Sequence, residues 1–391
     1  MAKAFISFLG TGDYLNCRYS IGKQPGNLVK YVQEDIIYRF CREWNQEDEI
    51  RIFTTDEAKQ QNWDDNGHKD RKTSKIKINQ GLGKRLENMR LTASVKRYAI
   101  PVGNSEDEIW SIFQTVYESL GNGDEIIFDI THSLRSIPML FMVLVGYARL
   151  LKNISVQGIY YGAFESLGHP SVVEKMDENE RVAPVFDLTS FEKLIEWTSA
   201  TQSFVKNGSA AELASLAKRD ISAVMKTTSG ESDYIEGNKA IAQEIGNIVN
   251  GINAISHNIM LSRGAEIIGY DYGRIKENLK TLQTSDIFIK PLAPLMQVIE
   301  KKLDAFIKND INNSFKAVEW CVEHGLYQQV ITILLENMIT FILSEEGLEW
   351  GVKDNREAAS DAIKLIADKK AEFKEQRYDS LEQGFSSDLK K

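Results

Sequence analysis

DEIIFDITHSLRSIPMLFMVLVGYARLL, residues 124–151, decides how this chain is to be read. Residues 125–130 are a short, largely apolar run, the pattern of a strand buried on both faces. Residues 131–135 are a polar turn that carries the Thr131 hydroxyl, the His132 imidazole, the Ser133 hydroxyl and the Arg135 guanidinium. Residues 138–151 are strongly apolar and read as a helix, and Pro138 suits its first turn, where no intrahelical N–H bond is needed. A buried strand that enters a helix through a polar turn leaves free N–H groups and the positive end of the helix dipole at the turn. That arrangement favours anions, and His132 and Arg135 are expected to reinforce the preference. The competing reading is a helix cap beside a surface arginine. The turn alone gives the two equal weight.

Working outward, KAFISFL (3–9) is a first buried strand that breaks into Gly10-Thr11-Gly12-Asp13-Tyr14. Two glycines just past a strand allow a sharp turn and the close approach of a ligand. The turn lacks the GxGxxG spacing of a dinucleotide fold and the GK[ST] of a phosphate-binding P-loop. Further strands are expected over 49–54, 97–102, 156–163 and 183–188, and helices over 27–44 and 106–120. Residues 56–84, polar and glycine-punctuated, read as a loop or irregular excursion in which His68 is solvated. Strands alternating with helices imply a Rossmann-like, mostly parallel sheet with right-handed crossovers. Ligands bind such sheets at the carboxyl ends of the strands, near a topological switch point. Both turns follow strands and so lie on one edge of the sheet, which lifts the binding reading above the cap.

Strand patterns nearly vanish after residue 190. Helical spacing covers 190–219, 238–261, 287–307 and 315–343, with a polar break at 227–236. The fold class is α/β, then all-α: a domain over 1–189 and a helical region over 190–391.

Composition narrows the function classes. The chain has 391 residues, 42% hydrophobic and 26% charged, with a formal net charge of −9, which argues against a bulk nucleic-acid coat and leaves room for a local basic site. Cys17, Cys41 and Cys321 form no CxxC pair, so a reducing compartment, the cytoplasm, is expected rather than a disulfide framework or zinc ribbon. The longest apolar run is too short to span a bilayer, and no signal peptide is recognised. The five histidines, His68, His132, His169, His257 and His324, show no HExxH or paired metal-ligand spacing, and no GxSxG elbow is present. Asp129, at the end of a buried strand, reads first as a cap of the turn and second as a ligand for a sugar hydroxyl.

Three stretches carry a resemblance: FISFLGTGDYLNCRY (5–19), DITHSLRSIP (129–138) and EWCVEHGLYQQVITILLENMITFIL (319–343). Together they resemble the DxTHG-motif family of CRISPR-associated proteins, the CARF–HEPN accessory proteins of type III systems in antiviral defence. The resemblance implies a CARF domain that dimerises, giving a homodimer or higher even-numbered oligomer, and binds a cyclic oligoadenylate in the cleft at the two-fold. It further implies HEPN domains that pair into a metal-independent endoribonuclease acting on single-stranded RNA. By position, the ligand loops would be Gly10, Thr11, Gly12, Asp13 and Tyr14, and Asp129, Thr131, His132, Ser133 and Arg135. No cofactor is implied beyond the cyclic oligoadenylate as allosteric ligand. Helix N-termini, backbone N–H groups and arginine suit its phosphates, and Tyr14 either stacks on a base or packs.

Two departures qualify the expectation. Ser133 stands where the family motif has glycine, and a serine there can serve as a helix cap. HEPN ribonucleases use an Arg-x4–6-His motif, and no histidine here has an arginine five to seven residues before it. The motif would be expected about where the sequence reaches Lys391, so the helical region either lacks that segment or departs from the standard site. Three readings stand: a messenger-controlled ribonuclease, a binding-only sensor, and a ring nuclease in which Thr11, Ser133 or His132 assists cleavage of the messenger. A nucleotide-cofactor enzyme is disfavoured by the missing GxGxxG.

Overall fold

A computed structural model describes residues 2–22, 24–70, 73–132, 137–226, 232–284 and 292–379. The chain divides into two compact units, Met1–Lys193 and Leu194–Lys391.

The first unit holds an eight-stranded sheet. Its strands are β1 (Lys3–Leu9), β2 (Cys17–Ile21), β3 (Gln24–Val29), β4 (Glu49–Thr54), β5 (Ser94–Ala99), β6 (Glu125–Asp129), β7 (Ser155–Gly162) and β8 (Val182–Asp187), in the order β3-β2-β8-β7-β6-β1-β4-β5. β1 lies between β4 and β6, parallel to both. Its alternating side chains feed two cores. Phe5 and Leu9 join Ile50, Ile52 and Ile127 under the helix Val32–Phe40 through its Ile36 and Ile37. Ile6 and Phe8 join Phe53, Ile126 and Phe128 under the helices Glu106–Ser119 and Ile137–Lys152. Burial on both faces is why the central strands read as unbroken apolar runs. Each large apolar side chain so enclosed contributes on the order of 1.5–3 kcal/mol.

The mostly parallel α/β expectation holds, with corrections at the edges. Residues 17–29 form an antiparallel hairpin, β2–β3, that was not expected, and β7–β8 is antiparallel as well. The helix expected over 27–44 starts only at Val32, because Pro25 and Gly26 belong to β3. Glu34 marks the start by accepting from the backbone N–H groups of Lys30 and Tyr31 at 3.1 and 3.0 Å. β5 lies three residues before its expected place, and Pro101 stands just past its end. Residues 56–84 are more ordered than a loop. They contain a short helix Asp56–Ala58, a π-turn Lys59–Trp63, an antiparallel bridge between Lys69 and Ile76, and the start of the helix Leu82–Asn88.

The second unit contains no strand among its described residues. Ile245, Ile248, Ile252, Ile255 and Ile259 run down one side of Ser232–Met260 and are buried with Trp197, Phe204, Leu279, Met296 and Trp320. The helix expected over 315–343 is two, Asn312–Glu323 and Tyr327–Glu345. They are separated at Gly325, whose φ of +68° suits a residue without Cβ. Helices Gly264–Gly269 and Tyr272–Thr284 were not expected. The expected helix at 287–307 is described from Leu292 to Leu303, and the polar break at 227–236 lies in part outside the described residues, its last five forming the start of Ser232–Met260.

Candidate functional site

The sheet order itself marks one place. Once the β2–β3 hairpin has been laid at the far edge, the chain adds β4 and β5 on one side of β1, then returns to add β6 and β7 on the other. The switch point therefore lies between β1 and β6, and a crevice opens outside their carboxyl ends. Gly10–Tyr14 leave β1 there, and Thr131 and His132 leave β6 there. Ser133 and Arg135 lie outside the described residues.

Asp129 ends β6 at the register position of Ser7 on β1. Its Oδ2 accepts from the Ser7 hydroxyl at 2.7 Å, and its Oδ1 accepts from the Thr131 hydroxyl at 2.6 Å and the Thr131 N–H at 3.0 Å. The Thr131 oxygen accepts in turn from the N–H of Gly162 at the end of β7, at 2.8 Å. Burial raises the Asp129 carboxyl above its ordinary range, and these hydrogen bonds oppose the rise. The carboxylate is thus a fully buried tie across β1, β6 and β7, the capping role.

His132 packs its ring on Tyr14, with centroids 4.2 Å apart and planes tilted by 36°. Burial pushes its imidazole down to about 4. The ring is therefore neutral at neutral pH and does not supply the positive charge expected of it; it can still donate or accept one hydrogen bond. Tyr14 also meets Tyr31 edge-on at 5.7 Å, so it packs within its own chain. A Cβ on Gly10 would lie 2.5 Å from the Tyr14 hydroxyl oxygen, so the turn needs glycine there for the tyrosine to fold back. Thr11, Gly12 and Asp13 stand exposed at the rim. Beside them a cavity of about 170 Å3 is lined by Gly10, Thr11, His132, Thr55 and Glu57 over an apolar floor that includes Phe53 and Ile100.

The excursion supplies residues that the pattern of apolar positions could not reveal. Asn62, on the π-turn and fully buried, donates to the carbonyls of Gly10 and Gly12 at 2.9 and 2.8 Å. Its oxygen meets the Tyr31 hydroxyl at 3.3 Å and His68 Nε2 at 3.0 Å. His68 is thus half-buried and engaged, not solvated, and burial lowers its pKa. Lys77 forms an ion pair with Asp13. Nothing local in the sequence marks Asn62. Lys77 belongs to a run with Lys69, Arg71, Lys72 and Lys75 against only Asp70, a local sign reversal in an acidic chain. Among the described residues no cluster of three metal-ligating side chains occurs.

Comparison with known proteins follows the same geography. Residues 4–165 match the family model described as the CRISPR system endoribonuclease Csx1, CARF domain. The N-terminal unit belongs to the Csx1 CARF family. The chain is also similar to the CRISPR-associated protein MJ1674 of Methanocaldococcus jannaschii, 31% identical over 154 residues. That alignment takes in 37% of this chain and 22% of the length of the archaeal protein. The resemblance drawn from the GTGDY and THSLR turns thus falls within the matched region, whereas the helical unit lies beyond it.

In the helical unit the remaining histidines have structural surroundings. His324 places Nδ1 2.6 Å from the Trp320 carbonyl and Nε2 3.1 Å from the Val205 carbonyl, tying two helices together. His257 is exposed on Ser232–Met260. His169, in the first unit, caps the short helix Pro170–Val173 by accepting from the Ser171 N–H. Among the described residues no helix is long and apolar enough to cross a membrane.

Proposed function

We propose that the CARF domain binds a cyclic oligoadenylate in the crevice between β1 and β6, as a homodimer, and that the ligand controls a HEPN-type, metal-independent ribonuclease acting on single-stranded RNA. One observation carries the binding half. In a Csx1-family CARF domain, the two turns singled out by their chemistry flank the topological switch point. The ligand is a ring of phosphates and adenines. Exposed loop N–H groups and the start of Ile137–Lys152 suit the phosphates, and the cavity beside Thr11, with the Glu57 carboxylate, suits an amino-bearing base. The test is a calorimetric titration with a series of cyclic oligoadenylate ring sizes, run beside cleavage of a labelled single-stranded RNA. Binding of one ring size with ligand-dependent cleavage is expected. No binding at any ring size sinks the proposal.

A second reading has its own support. No Arg-x4–6-His pair occurs in the 391 residues, and His324 is committed to two backbone carbonyls. On that reading the protein is a sensor without a ribonuclease site in this chain, or a ring nuclease. Tight ligand binding without RNA turnover selects the sensor, and release of linear adenylates from a labelled ring selects the ring nuclease.

A further inference from the structure

The GTGDY turn holds a chemical puzzle. A loop meant to receive phosphate carries a carboxylate, Asp13, at its exposed rim, and its two glycine carbonyls are themselves negative dipoles. Both problems are resolved by residues of the 56–84 excursion.

The Asn62 carboxamide uses its whole hydrogen-bonding capacity. Its nitrogen donates to the Gly10 and Gly12 carbonyls, and its oxygen faces the Tyr31 hydroxyl and His68 Nε2. Reversing the amide would set oxygen against two carbonyls and NH2 against a hydroxyl donor, so its orientation is fixed from four sides. No peptide bond among the described residues is cis. In a trans peptide the N–H of one residue points opposite to the carbonyl of the residue before it. Holding the carbonyls of Gly10 and Gly12 inward therefore turns the N–H groups of Thr11 and Asp13 outward. Neither N–H donates to any described residue. Because the two carbonyls converge on one nitrogen, the two N–H vectors diverge, so each is directed at its own phosphate oxygen. Lys77 occupies the Asp13 carboxylate and removes the like charge that would repel that anion.

We infer that Asn62 is a positioning residue: it turns the Thr11 and Asp13 N–H groups outward as two separate donors to phosphate oxygens, while Lys77 masks the Asp13 carboxylate. This deepens the cyclic oligoadenylate reading and rests on it for the identity of the phosphodiester. The N–H pair itself is defined for any phosphate ester.

The experiment uses the full chain, isotopically labelled so that the Thr11 and Asp13 amide resonances are resolved, titrated with pyrophosphate and separately with cyclic oligoadenylates. Both amide protons are expected to shift downfield with each probe. In Asn62→Asp, of nearly the same size, the two donors are gone and a carboxylate faces the carbonyls. Phosphate affinity should fall at least tenfold while the spectrum stays dispersed and the unfolding midpoint of the helical unit is unchanged. Lys77→Met should weaken pyrophosphate binding several-fold, and Lys77→Arg should restore it, which a merely structural lysine would not require. If Asn62→Asp fails to fold, the wild-type titration decides alone. Saturation by a cyclic oligoadenylate with the two amides unmoved overturns the inference and leaves the ligand reading standing. Amides that answer to pyrophosphate, with no cyclic oligoadenylate bound, do the reverse.

Discussion

Thr131→Val tests the site's scaffold most directly, because valine keeps the shape of threonine and removes only its hydroxyl. Two hydrogen bonds go with it: the 2.6 Å bond to Asp129 Oδ1, and the 2.8 Å bond from the Gly162 N–H. The Thr131 N–H bond to Asp129 remains. Losing the first bond costs about 1–3 kcal/mol, and leaving the buried Gly162 N–H without a partner costs about 1–3 kcal/mol more. The two share one oxygen and do not add fully, so the expected total is about 2–5 kcal/mol. For a unit of this size that lowers the melting temperature by about 4–20 °C. Calorimetric scans, with the transition of the N-terminal unit followed by itself, measure the loss. Native-state hydrogen exchange adds a local reading: the Gly162 amide should be protected in the wild type and exchange far faster in the variant. A loss below about 1 kcal/mol with Gly162 still protected would refute the claim that this hydroxyl ties β6 to β7.

Arg51, buried in β4, bonds Glu49 Oε2 at 2.6 Å and Asp124 Oδ2 at 3.2 Å; Glu49 also pairs with Lys96, so Arg51→Met leaves the enclosed Asp124 without its cation and should cost about 3 kcal/mol; an unchanged urea midpoint contradicts this. The folded His132 imidazole titrates at about 4 against about 6.5 unfolded, so between those values the unfolded chain binds more protons. Stability should therefore fall as pH drops from about 6.5 to about 4. His132→Asn should flatten that dependence in melts across the window, and equal slopes would argue against it. Gly208 has φ +71°, and a Cβ there would lie 2.5 Å from Trp320 Nε1. Gly208→Ala should thus destabilise the helical unit by about 2 kcal/mol or more while the melting of the CARF domain stays put.

The central sheet was legible because β1, β4 and β6 are enclosed on both faces and so spell themselves as apolar runs. The turns after β1 and β6 were legible for the same reason: a polar break between such runs stands out. The β2–β3 hairpin was not, because Leu28 and Val29 continue the apolar spacing of Ile36 and Ile37, and only the tertiary pairing of Cys17 with Val29 separates strand from helix. Gly325 marks a break in the expected long helix that the apolar spacing of its flanks conceals. Within the site, Asp129 read correctly as a cap, since carboxylates at strand ends have local partners two residues on. Asn62 could not be read at all. Its role comes from contacts 50 and 52 residues away in sequence, across a π-turn with no compositional mark.

The Ser7–Asp129 tie spans 122 residues, and this distance sets when the site can exist. At about 5–20 residues per second of synthesis, β1 emerges about 6–25 s before its partner on the crevice side. Through that interval the strand has at most β4 beside it, and one apolar edge stays open. Closure of so long a loop is a late and entropically expensive step. On the proposed reading, a ligand seated between β1 and β6 binds only chains that have completed this closure, so binding would report the finished domain.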